Sequence, residues 1–183
     1  MTNEANTQEP AGVDPEAVAK AEQLVGEADE LLASALRPGQ WPEAEVAERF
    51  LSEGNLDRVL ALYGQAIRLD PAEPAYPWNL ASALNRLGLN DLALGFIARA
   101  IHLAERSGED EWSGPGAQLA LAEVAIDAGE YDIALTALAH AQADDQRNGH
   151  STQIEDLLGE VRNERDDPQP QASLASLLER LPA

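Results

Sequence analysis

Residues 80–100 read LASALNRLGLNDLALGFIARA, and the spacing of Ala81, Gly88, Ala93 and Ala100 within that stretch decides the fold. The same four positions recur 34 residues earlier as Ala47, Gly54, Val59 and Ala66. They recur 41 residues later as Ala122, Gly129, Ala134 and Ala141. Three copies at a period of this size mark a stack of helical repeats, because one such unit cannot bury its apolar face alone.

Working outward, each glycine stands at a turn between two helical patterns. Glu53-Gly54-Asn55, Leu87-Gly88-Leu89 and Ala128-Gly129-Glu130 suit the left-handed residue that ends one helix before its antiparallel neighbour begins. The spacing predicts helix pairs over 41–53 and 56–69, 76–87 and 90–106, and 116–128 and 131–145. Asp14-Pro15 is a helix start signal, and apolar residues from Val18 to Ala35 keep helical spacing until Arg37-Pro38-Gly39. This first helix fits the repeat spacing poorly, so it reads as an N-terminal cap over 15–37. A helix over 152–165 reads as the capping half of a fourth unit. Residues 1–14 read as a disordered acidic tail. After Pro168 and Pro170, residues 167–183 read as a linker and a short amphipathic helix with Leu174, Leu177, Leu178 and Leu181 on one stripe.

Composition agrees with helices packed through small residues. Aromatic residues make up 4 % of the 183, and there is no cysteine, which excludes disulfides and thiolate metal sites. Twelve basic residues stand against 33 acidic ones, a formal charge of -21. Such a chain is repelled by nucleic acid phosphates and anionic lipid, so neither is an expected partner. No apolar run approaches membrane-spanning length and the N-terminal stretch lacks an export signal's apolar segment, so cytoplasmic residence is the expectation.

The repeat resembles the tetratricopeptide repeat (TPR). The residues that carry the resemblance are Val46-Ala47, Phe50, Gly54, Leu56, Val59, Tyr63, Ala66, Leu69 and Pro71 in the first copy. The second has Leu80-Ala81, Leu84, Gly88, Ala93, Ile97, Ala100 and Leu103; the third has Leu121-Ala122, Ala125, Gly129, Tyr131, Ala134, Leu138 and Ala141. The family's tryptophan position holds Glu43, Pro77 and Gln118, and its closing proline survives only as Pro71. The junction before the third copy is seven residues longer than the period allows and carries an exposed-looking Trp112.

The resemblance implies an all-α, short right-handed TPR-like solenoid of three helix-turn-helix repeats with N- and C-terminal capping helices. Its domain would run over 40–166, with repeats at about 40–73, 74–107 and 115–148. It also implies a concave groove lined by the first helix of each pair. Carried over by spacing, the partner-binding positions are Trp41, Glu48, Trp78, Asn79, Ser82, Asn85, Arg86, Glu123 and Asp127, with Ala44, Leu51, Leu119 and Ile126 between them. Trp78 reads either as the anchor, since a rigid aromatic buries much area at little entropic cost, or as a residue packed on Pro74 or Pro77 or under the neighbouring helix. Glu48 and Glu123 stand where a carboxylate clamp needs donors, so a neutral or basic amphipathic protein or peptide segment suits the groove.

These observations make a non-catalytic protein–protein interaction module, an adaptor or scaffold, the expected function. A small client-shielding chaperone and a self-assembling structural repeat protein are the alternatives. The stripe of Leu174, Leu177, Leu178 and Leu181 reads either as a permanent cap on the last repeat or as a self-docking or homodimer helix. No catalytic constellation, metal site or cofactor motif is expected. His102, His140 and His150 lack ligand partners at metal-binding spacing, and Gly114-Pro115-Gly116 lacks the lysine and strand of a phosphate loop.

Overall fold

The computed structural model describes residues 14–144 and 149–164, and within them the chain is all-helical, without a β-strand. Its elements are α1 (Pro15–Leu32), α2 (Ala44–Ser52), α3 (Asn55–Leu69), α4 (Ala75–Arg86), α5 (Asn90–Ser107), α6 (Asp110–Ser113), α7 (Pro115–Asp127), α8 (Tyr131–Asp144) and α9 (Ser151–Glu164). The expected tail up to residue 13 and the expected helix 173–181, with Leu174, Leu177, Leu178 and Leu181, lie outside the described residues. No described helix is long and apolar enough to cross a membrane.

Local chemistry sets the helix ends. The Asp14 carboxylate accepts from the Glu16 N–H at 3.0 Å, ahead of Pro15, whose missing N–H costs a first turn nothing. Gly88 and Gly129 adopt φ of +75° and +71°, where a side chain would be strained. The two turns are built alike. Gly88 N–H donates to the Asn85 carbonyl and Leu89 N–H to that of Leu84; Gly129 N–H donates to Ile126 and Glu130 N–H to Ala125. This paired bonding satisfies the last carbonyls of α4 and α7 and reverses the chain.

Packing runs in series. The large contacts are α1 with α3, α4 with α5, α5 with α7, α7 with α8 and α8 with α9, while α3 meets α4 more narrowly. The small residues that fix the period sit in these seams. Ala66, Ala93, Ala100, Ala122, Ala134 and Ala141 have no exposed surface, and Ala81 is 1 % exposed. A larger side chain there would force the helix axes apart.

The first unit departs from the expected pairing. The main partner of α3 is α1, not the helix after Trp41, and α2 makes only a minor contact with it. The Tyr63 hydroxyl on α3 donates to the Asp29 carboxylate on α1 at 2.7 Å. Glu22, two turns earlier on α1, lies within electrostatic reach of Tyr76, beyond the end of α3. The two helices are therefore antiparallel. The cause is apolar area: α1 buries Ala21, Leu24, Ala28 and Leu32, whereas the nine-residue α2 buries only Phe50. Ala47, expected at a close helix approach, is only half-buried. The 15–37 segment is thus a principal element of the array, and α2 is an excursion between α1 and α3.

Candidate functional site

Helix α4 presents one continuous stripe. Trp78, Asn79, Ser82, Asn85 and Arg86 fall within two turns of helical spacing, opposite the buried Leu80, Ala83 and Leu84. Five of the nine expected partner-binding residues are therefore gathered on this helix. Asn79 and Ser82 are exposed, and Trp78, Asn85 and Arg86 are half-buried.

Trp78 is not a bare anchor. The long junction between α5 and α7 folds into the single turn α6, which lays Trp112 against Trp78 with ring centroids 5.3 Å apart and planes at 66°. Edge-to-face stacking of this kind adds about 0.5–1.5 kcal/mol beyond the area it covers. Glu109 holds the turn in place. Its carbonyl accepts from Trp112 N–H and from the Ser113 hydroxyl, and its carboxylate accepts from the Ser107 hydroxyl at 2.6 Å. Trp112, expected as an exposed loop residue, is half-buried. The extra length of the junction was its only sequence signal.

Farther along the stripe, the Asn85 Oδ1 atom is buried and has no hydrogen-bond donor among the described residues. An unmatched buried amide oxygen costs about 1–3 kcal/mol, and a donor brought by a bound chain recovers it only where the Asn85 amide rotates outward to meet it. Arg86, expected to contact a partner, is occupied within the fold. Its Nη2 donates to the carbonyls of Arg37 and Gln40, in the loop joining α1 to α2.

The remaining expected residues are dispersed. Trp41 precedes α2 rather than lying in it and is 66 % exposed, beside a cavity of about 240 Å³ lined also by Arg37, Pro42 and Val46. Glu48 is exposed on α2. Glu123 on α7 accepts from the Gln153 side chain of α9 at 2.8 Å. Asp127 ends α7, where its carbonyl accepts from the Asn90 amide at 2.9 Å and ties α7 to the start of α5. Leu119 and Ile126, expected between them, are core residues at 2 % and 8 % exposure. Helix α7 packs against α5, α6, α8 and α9, which buries most of its apolar residues.

No three His, Cys, Asp or Glu side chains among the described residues converge as metal ligands. The stripe on α4 offers amides, a hydroxyl, an indole and the Arg86 guanidinium, groups that can donate and accept hydrogen bonds and cover apolar surface. No protein-family model matches this chain, and no curated protein is significantly similar to it.

Proposed function

We propose that the protein is a non-catalytic binding module of TPR-like architecture that holds a partner segment on the open stripe of α4. In this reading α1/α3, α4/α5 and α7/α8 are the three repeat units and α9 opens a fourth. The observation that carries the reading is the sequence of groups on α4: a partly shielded Trp78, two exposed polar side chains, and the buried, unmatched acceptor of Asn85. A peptide chain supplies what these lack, an apolar side chain against the indoles, polar partners for Asn79 and Ser82, and an N–H for the Asn85 amide once it rotates outward. The charge of -21, with Glu48, Glu123 and Asp127 exposed, favours a segment that is neutral or basic.

The test is an immobilised peptide array probed with the wild-type protein, Trp78→Ala and Asn85→Ala, each checked for unchanged helicity. The reading expects a discrete set of neutral or basic apolar peptides bound by the wild type and lost by both variants. Peptides bound equally by all three proteins would overturn the assignment of the stripe.

A further inference from the structure

Among the described residues, the outer flank of the first helix pair carries an open groove with apolar, acidic and basic side chains side by side. Asp29 and Glu22 mark the side of α1 that looks toward Tyr63 and Tyr76. On the opposite side, α1 and α3 border a groove of about 600 Å³ whose floor is Leu31, Ala61 and Leu62, with Glu27, Glu30, Arg58 and Gln65 on its rims. Leu69, one of the few exposed large apolar residues at 36 %, continues the floor at the heptad spacing from Leu62.

Charge separates this flank from the remainder of the surface. Helical spacing places Glu16, Lys20, Gln23, Glu27 and Glu30 along the α1 edge, and Arg58, Gln65 and Arg68 along the α3 edge. A side-chain ladder follows the α1 edge: the Lys20 ammonium donates to Gln23, and the Gln23 amide to Glu27. The flank thus carries three bases and three acids, with Asp57 at the margin, and the two arginines of α3 stand across from the acidic α1 edge in a chain whose net charge is -21. Copies that meet through this flank can set the α3 bases Arg58 and Arg68 against the α1 acids Glu27 and Glu30.

We propose that the flank of α1 and α3 is a self-association surface, on which two copies dock about a two-fold axis parallel to the helices. That operation lays α1 of each copy over α3 of the other and interdigitates Leu31, Ala61 and Leu62 from both sides. The Tyr63–Asp29 bond puts those two residues at one height, so antiparallel counting places Glu30 beside Leu62 and Glu27 beside Gln65. In the docked pair, Glu30 then lies about 6 Å along the axis from the other copy's Arg58, and Glu27 about 5 Å from its Arg68. Both separations are within reach of the long side chains, and the two-fold axis makes each pair occur twice. The face is about 25 Å long and 20 Å wide, on the order of 500 Å² per copy, at the low end for a specific interface. A face this small fits a weak, reversible association.

The test is sedimentation velocity of the full chain from micromolar to sub-millimolar concentration, with helicity checked for every variant. The expected result is a monomer–dimer equilibrium that Arg58→Glu or Glu30→Arg weakens by about tenfold or more, since each sets like charges across the axis. The charge-swapped double variant Arg58→Glu/Glu30→Arg recovers most of the lost affinity. A wild-type monomer at every concentration, or a dimer indifferent to both Arg58→Glu and Leu62→Glu, would overturn the proposal. Neither result bears on the peptide-binding stripe of α4, which belongs to a different helix.

Discussion

The Tyr63 hydroxyl meets the Asp29 carboxylate at 2.7 Å across the seam between α3 and α1, joining residues that the chain separates by the whole of α2. The phenol ring is fully buried, so the bond satisfies a group with no ready access to water. Replacing Asp29 by Ala strands that hydroxyl and is expected to cost about 1–3 kcal/mol, against about 0.5–1.5 kcal/mol for Tyr63→Phe, which removes the group itself. A double-mutant cycle by chemical denaturation measures the coupling directly. Additive effects would place the two residues out of contact.

The same pair makes an alkaline prediction. Burial first, and then the hydrogen bond and negative charge of Asp29, hold the Tyr63 phenol well above its ordinary value of 10.0. In the unfolded chain the phenol ionises near that ordinary value, while the folded protein keeps its proton. The stabilisation is therefore complete below about pH 10 and is lost as pH rises beyond it, at up to about 1.4 kcal/mol per pH unit. Tyr63→Phe is expected to flatten this limb, leaving the smaller contribution of Tyr76, which is also raised by burial and by Asp70, Glu73 and Glu22. Denaturation midpoints from neutral pH to about pH 11 check it; equal slopes in the two proteins contradict it.

Substitution by leucine distinguishes the helix that partners α3. Ala28, Ala81 and Ala122 are almost entirely enclosed, and each change to Leu is expected to cost about 1–3 kcal/mol by overpacking a seam. Ala47 is half-buried on α2, and Ala47→Leu is expected to stay within about 0.5 kcal/mol. Thermal or denaturant melts of the four variants give the comparison. A cost at Ala47 equal to the others would make α2 a close-packed partner of α3.

Much of this fold was legible in the linear spacing, and the exception is instructive. Gly54, Gly88 and Gly129 all take the left-handed turn, and the alanines of the second and third copies lie in their seams. Ala47 kept the same distance from Gly54 and Ala66, so the spacing placed α2 in the frame. Spacing records register, but apolar area decides which helices pair, and α1 carries more of it. The site was half legible for a related reason. The five stripe residues share one helix and so follow from its period, whereas Trp112 on Trp78 and the Arg37 and Gln40 carbonyls on Arg86 are long-range contacts. No local pattern encodes those.

The indole pair has a spectroscopic consequence. Two tryptophans 5.3 Å apart couple their electronic transitions, so the wild-type protein is expected to show a split circular-dichroism band in the tryptophan region. Trp112→Ala should remove the splitting and shift Trp78 emission to the red as α6 ceases to shield it. Retention of the splitting in Trp112→Ala would place another group against Trp78.

The most direct test of the central claim is hydrogen–deuterium exchange on the protein with a peptide captured from the array, compared with the protein alone. The account predicts new protection concentrated in α4 and α6, over residues 75–86 and 110–113, and absent from the Asn85→Ala variant at the same peptide concentration. Protection confined to α3, α5 or α8, with α4 unchanged, would contradict a partner-binding stripe on α4.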